Sequence, residues 1–124
     1  MKNRNLLESF KNAFNGIVAV AKSERNMKIH LLAAVLVIIL SFAFKLSKTE
    51  LLAVCITIAI VLICELFNTV TEFLVDIIVD VYHPKAKIIK DMAAGAVLIS
   101  AVMSVVVAYL VFFDKIMEFV RRVL

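Results

Sequence analysis

The sequence predicts an all-α integral membrane protein, with three transmembrane helices plus an N-terminal amphipathic surface helix. Three observations carry that expectation. Hydrophobic residues make up 64% of the 124 residues and mean hydropathy is +1.04, against the roughly 45–50% apolar content of soluble domains. A soluble core of this size cannot hide so many Val, Ile, Leu and Phe, because small domains keep much of their surface exposed. The chain also holds only one Pro and two Gly, so little interrupts helical runs. Residues 1–124 read as a single domain.

Residues 5–25 place Leu6, Leu7, Phe10, Phe14, Ile17, Val18 and Ala21 at spacings of three and four, with Asn5, Glu8, Lys11, Asn12, Asn15 and Lys22 on other faces. That is the pattern of a helix lying in the bilayer surface. The first span is expected over 28–46: Ile29 to Phe44 is apolar except for His30 and Ser41, and approaches the roughly 20 residues needed to cross. A polar turn at Lys45, Ser47, Lys48, Thr49 and Glu50 precedes a second span over 50–80. Its apolar part, Leu51 to Cys64, is too short to cross alone, but the helical pattern continues through Glu65, Asn68, Glu72 and Asp76 to about Asp80. Tyr82-His83-Pro84 ends it, since the residue before a proline is pushed out of helical geometry. The third span is expected over 91–113, with small residues Ala93, Ala94, Gly95 and Ala96 that allow close packing. Asp114 to Leu124 reads as a short amphipathic tail.

Lone polar and aromatic residues in the spans get plain structural readings. His30 reads as an interfacial or packing histidine, Ser100 and Ser104 as hydrogen-bonders between helices, and Phe112 and Phe113 as lipid-facing or interface aromatics. Cys55 and Cys64 are nine residues apart, about 13.5 Å along a helix and too far for a bridge within it. Lys2, Arg4, Arg121 and Arg122 are expected to touch headgroups.

The net charge of +4 needs no nucleic acid to explain it, because the basic residues flank the apolar runs and form no stripe on a soluble fold. No signal peptide is expected, as residues 1–28 are charged and amphipathic. Lys2, Arg4, Lys11, Lys22, Arg25 and Lys28 precede the first span, and Lys85, Lys87 and Lys90 lie between the second and third. Only Lys45, Lys48, Lys115, Arg121 and Arg122 fall on the other side. The bias puts the N-terminus and the second loop in the cytoplasm of a multi-pass plasma-membrane protein.

The stretch from Glu65 to Asp76 carries the chemistry. At 100° per residue, with Glu65 at zero, Asn68 falls at about 300°, Glu72 at about 340° and Asp76 at about 20°, a stripe about 16 Å long. For Asp76 and Asp80 a solvated helix end would suffice. Glu65 follows fourteen apolar residues, and a carboxylate at that depth is costly unless it faces protein, water, metal or substrate. Like charges on one face repel, so Lys90, a divalent cation, or both should sit among them. Glu24, just before the first span, and Lys90-Asp91, at the start of the third, fall on the same side. Hard oxygen ligands suit Mg²⁺ with substrate phosphates, and carboxylate, metal and lysine together suit phosphoryl transfer. The absence of a Gly-rich phosphate loop excludes P-loop and protein-kinase folds. Glu65, as the deepest carboxylate, has the least water around it and lies where a lipid hydroxyl would reach, a setting suited to a general base.

The pattern Glu65-x-x-Asn68-Thr69-x-x-Glu72-x-x-x-Asp76, followed by His83-Pro84-x-Ala86-Lys87-x-x-Lys90-Asp91-x-Ala93-Ala94-Gly95-Ala96-Val97, strongly resembles the small prokaryotic diacylglycerol kinase family. The resemblance covers nearly the whole chain. Asn26-Met27-Lys28-Ile29-His30 is similar to the branch from Gram-positive bacteria, whose members are chiefly undecaprenol kinases. The resemblance implies an ATP- and Mg²⁺-dependent lipid kinase, a homotrimer with active sites shared between neighbouring subunits. By position it implies Glu65 as general base and Asn68 as the residue holding the lipid hydroxyl. Glu24 and Glu72 would be metal ligands that also bridge to ATP phosphates, and Lys90 would neutralise the γ-phosphate. Asp91, Asp76 and His83 would help to hold the nucleotide, with Tyr82 in the nucleotide-contacting segment 81–83. Three positions depart from the family. Thr69-Val70-Thr71 stands for the usual Thr-Ala-Ile, Asn12 for a frequent aromatic near the adenine, and Val81 for a common acid.

The expected function is therefore phosphorylation of undecaprenol to undecaprenyl phosphate, with diacylglycerol as the alternative acceptor. A small proton-coupled transporter could also use Glu65 and Glu72, but it would need a polar path across the whole bilayer, and the outer halves of the spans lack charged groups.

Overall fold

The computed structural model describes residues 5–124, so Lys2 and Arg4 lie outside the described residues. Four helices follow in order: α1 (Leu6–Ser23), α2 (Arg25–Ala43), α3 (Lys48–Ile78) and α4 (Pro84–Val123). The last three are long and apolar enough to cross a membrane, and α3 packs chiefly on α4, with α2 against α3 and α1 against α2.

Each boundary has a local cause. Asn5 caps α1, its side chain accepting from the Glu8 N–H at 2.8 Å. The surface helix and the first span are separated by a single extended residue, Glu24, at φ −97° and ψ 122°. α2 begins at Arg25, because nothing in Arg25-Asn26-Met27 breaks a helix. At the far end, Lys45 takes a left-handed conformation (φ 51°). The Leu46 N–H reaches back to the Ser41 carbonyl at 3.0 Å and the Lys45 N–H to that of Phe42 at 3.1 Å, a Schellman closure. Ser47 then caps α3 in a capping box with Glu50, so Lys48 opens the helix and is not part of the turn.

Two boundaries differ more. α3 ends at Ile78, and the Pro84 signal marks the start of the next helix: His83 is the extended N-cap and Pro84 the first helical residue. α4 then runs 40 residues without a break, about 60 Å at 1.5 Å per residue. The expected span 91–113 and the expected tail are one helix, since charge alone at Asp114 and Lys115 does not stop helix propagation where no Gly or Pro intervenes.

The packed seam is narrow. Met27, Ala34 and Ser41 on α2 are buried at heptad spacing, facing Val54, Val61, Glu65, Asn68 and Thr69 on α3. Phe112 closes it from α4 at 5% exposure, edge-on to Phe44 at 6.3 Å. Of the two alternatives expected, lipid-facing or interface, Phe112 takes the packed one, whereas Phe113 is exposed with its ring tilted against Tyr109 at 4.9 Å. Ser100 and Ser104 do not bond between helices: they donate to the Val97 and Ala101 carbonyls of α4 itself, at 2.8 and 2.7 Å. A Cβ at Gly95 would meet open space within this chain. Leu6, Leu7, Phe10 and Phe14 leave the apolar face of α1 bare, as a helix seated in a bilayer surface requires.

Candidate active site

Glu65 and Asn68 continue the face that Val54 and Val61 begin, so the same periodicity that packs α3 carries two polar side chains into the seam. Glu65 is 2% exposed. Its backbone carbonyl accepts from the Thr69 hydroxyl at 3.0 Å, while its Oε2 is buried without a hydrogen-bond partner. The nearest basic group is His30, whose Nε2 lies 3.8 Å from that oxygen. Asn68 donates from Nδ2 to Glu72 Oε1 at 3.3 Å, and its Oδ1 is likewise buried and unpartnered. Burying a carboxylate oxygen and an amide oxygen unpaired is unfavourable. The two such atoms among the described residues lie within one turn of α3.

The reading of His30 as an interfacial or packing histidine leaves out what it packs against, the Glu65 carboxylate. The signal is present, because an imidazole near the cytoplasmic end of the first apolar run matches the depth of Glu65 at the same end of the second. What one dimension cannot show is that α2 turns this position towards α3, on the face that buries Met27 and Ala34.

The other predicted residues fall into a second, shallower group. Asp76, Tyr82, His83 and Lys90 line one pocket of about 380 Å³, together with Asp80 and Lys87, which nothing in the sequence singles out for this role. Asp76 and Lys90 are ion-paired across α3 and α4, so the lysine expected among the acids is there. His83 spends Nδ1 on the Lys85 N–H at 3.2 Å as the N-cap of α4. Asp91 pairs with Lys87 at 2.5 Å, one turn back on the same helix. Asn12 is exposed on α1 and, like Asp91, is not part of this pocket wall.

Glu24 and Glu72 connect the two groups. Glu72 accepts from Asn68 Nδ2, one turn out from Glu65, and Glu24, the extended residue between α1 and α2, accepts from the Ser23 hydroxyl at 3.3 Å. Among the described residues no three His, Cys, Asp or Glu converge on one point. Mg²⁺ does not need that, since it is commonly held by one or two carboxylates with waters and substrate phosphates. The carboxylates of Glu24 and Glu72, with the unpartnered Asn68 Oδ1 beside Glu72, are of the hard-oxygen chemistry such an ion takes.

A third feature lies deeper. An apolar pocket of about 90 Å³ between α2, α3 and α4 is walled by Val37, Val54, Ile58, Val61, Val107 and Phe112 among others. His30 belongs to its wall as well as facing Glu65. The arrangement can take a proton at a buried carboxylate, hold apolar matter below it, and hold anionic matter in the polar pocket above.

Comparison with known proteins agrees with this chemistry. Residues 11–112 match the family described as prokaryotic diacylglycerol kinase. The chain is 41% identical over 109 residues to the undecaprenol kinase of Bacillus subtilis, covering 88% of this chain and 89% of that one. It is 40% identical over 104 residues to a diacylglycerol kinase of Synechocystis, covering 83% of this chain but 59% of that longer protein.

Proposed function

The chain belongs to the prokaryotic diacylglycerol kinase family, and we propose that it is an ATP-dependent kinase of undecaprenol, making undecaprenyl phosphate. The observation that carries this is the single face of α3 on which a buried carboxylate with a free oxygen, Glu65, is followed outward by Asn68, Glu72 and the Asp76–Lys90 pair. An acceptor that keeps its chain in lipid and its hydroxyl at the interface meets Glu65 first, and a water-soluble phosphate donor meets the outer pocket.

In this reading Glu65 accepts the proton of the lipid hydroxyl, and Asn68 Nδ2, whose second hydrogen is not used on Glu72, donates to the hydroxyl oxygen and holds it in line. The hydroxyl oxygen then bonds to the γ-phosphorus as the bond from that phosphorus to the β–γ bridging oxygen breaks, and ADP leaves. Lys90 neutralises the transferred phosphoryl group. Asp76, Tyr82, His83 and Asp91 hold the nucleotide, with Asn12 on the base side. Glu24 and Glu72 would hold Mg²⁺, which when bound supplies charge neutralisation for the polyphosphate. The apolar pocket beside His30 suits the first part of a prenyl chain.

We assign the 124 residues to one membrane kinase domain in the plasma membrane, with the active site on the cytoplasmic side, where the basic loops fall and ATP is available. A homotrimer with shared active sites belongs to the same reading, and the open space at Gly95 supports it by offering a close-contact surface.

The test is turnover of undecaprenol and diacylglycerol side by side with labelled ATP, with and without Mg²⁺. Faster phosphate transfer to undecaprenol, lost on chelation, is expected. Faster transfer to diacylglycerol would sink the acceptor assignment while leaving the kinase chemistry intact.

A further inference from the structure

Glu65 has a partner problem that the proposed mechanism does not solve. A base must present one chosen oxygen to the substrate, yet a carboxylate on a flexible side chain can turn either oxygen outward. In this seam the backbone of Glu65 is fixed by α3, and the Thr69 hydroxyl is spent on the Glu65 carbonyl, so it offers the carboxylate nothing. Asn68 Nδ2 donates to Glu72 Oε1 at 3.3 Å, not to Glu65. Among the described residues, the basic group facing Oε2 is the His30 imidazole at 3.8 Å, from a different helix.

We propose that His30 is a positioning residue for Glu65: its Nε2–H donates to Oε2, leaving the other carboxylate oxygen to face the acceptor hydroxyl. The inference rests on the reading of Glu65 as the proton acceptor. Three facts support it. His30 sits on the inward face of α2, one turn beyond Met27, which at 1% exposure anchors that face against α3. Oε2 is buried and otherwise unpartnered, so a donor there removes the cost of an orphaned acceptor. The gap of 3.8 Å closes by under about 1 Å to reach hydrogen-bond length, and such contacts commonly tighten only once substrate is bound. Both the neutral Nε2–H tautomer and the imidazolium supply the donor, so the role needs no particular charge on the ring. His30 also forms part of the apolar pocket wall. The residue that orients the base therefore touches the space the lipid chain would fill.

The test compares two nearly isosteric replacements in the full chain, His30→Gln, which keeps a donor at the end of the side chain, and His30→Met, which has none. His30→Met is expected to lower kcat about 10- to 100-fold, the scale of a misplaced catalytic group, with KM for ATP unchanged. His30→Gln should recover to within about threefold of the parent. Equal rates in the two variants, whether both high or both low, or a faster Met variant, would overturn the proposal. Glu65→Gln is run alongside. If that variant keeps its turnover, the reading of Glu65 itself is wrong. If it is dead while the two His30 variants match, only the role of His30 fails.

Discussion

Two glutamates on α3 show how the same side chain serves different ends. Glu50, in the first turn, has both oxygens occupied: Oε2 accepts from the Ser47 N–H at 2.8 Å, and Oε1 pairs with Lys115 at 2.9 Å, tying the start of α3 to α4. Glu65, four turns on, is buried to 2% exposure and keeps an oxygen with no partner. A carboxylate whose lone pairs are all used holds structure together. One that is buried with lone pairs to spare is unfavourable for the fold, and such sites persist where a reaction needs them. The same contrast separates Asp76, exposed and paired with Lys90, from the Glu65 region below it.

The sharpest way to break this comparison is Glu65→Gln. Turnover should fall at least about 10³-fold, within the range for losing a general base, while helix content and melting temperature hold, since an amide is nearly isosteric and carries no buried charge. A variant that turns over normally would put Glu65 in the same structural class as Glu50. Lys90→Met comes next. A roughly 10- to 100-fold rise in KM for ATP is expected, with little change in KM for the lipid, because Lys90 stands in the outer pocket. If the lipid KM moved instead, the ordering of donor and acceptor along α3 would be wrong. The smallest effect is expected from Glu50→Gln, which should leave turnover within about twofold of the parent and lower the melting temperature slightly, because it removes an ion pair remote from the reacting groups while its amide oxygen keeps the cap contact.

The stripe from Glu65 to Asp76 is legible in the sequence alone, because helical geometry at 100° per residue fixes which side chains share a face. The amphipathic N-terminal helix is legible for the same reason. The capping box at Ser47-Lys48-Thr49-Glu50 is a pattern the sequence displays, yet taken only for polarity the four residues pass for a turn. Pro84 does constrain His83 to an extended backbone, but it opens α4 and does not close α3, since a proline is tolerated at a helix start as readily as it ends one. The partnership of His30 with Glu65 is beyond the reach of sequence. It depends on the rotation of α2 against α3, and because α2 is apolar on nearly every face its hydropathy does not reveal that Met27, Ala34 and Ser41 mark the inward one.

The unbroken α4 has a mechanical consequence. A helix of 40 residues is about twice as long as the roughly 30 Å of hydrocarbon it crosses, and no proline lies beyond its first residue to act as a joint. It is a strut, and its two ends cannot move independently. Lys90 near one end and Lys115, bound to Glu50, near the other are held at a fixed separation of about 38 Å. A thicker or thinner bilayer must therefore be met by tilting the whole strut or by deforming the lipid around it. Bilayer thickness thus becomes a dimension against which the height of the outer pocket above the membrane is gauged.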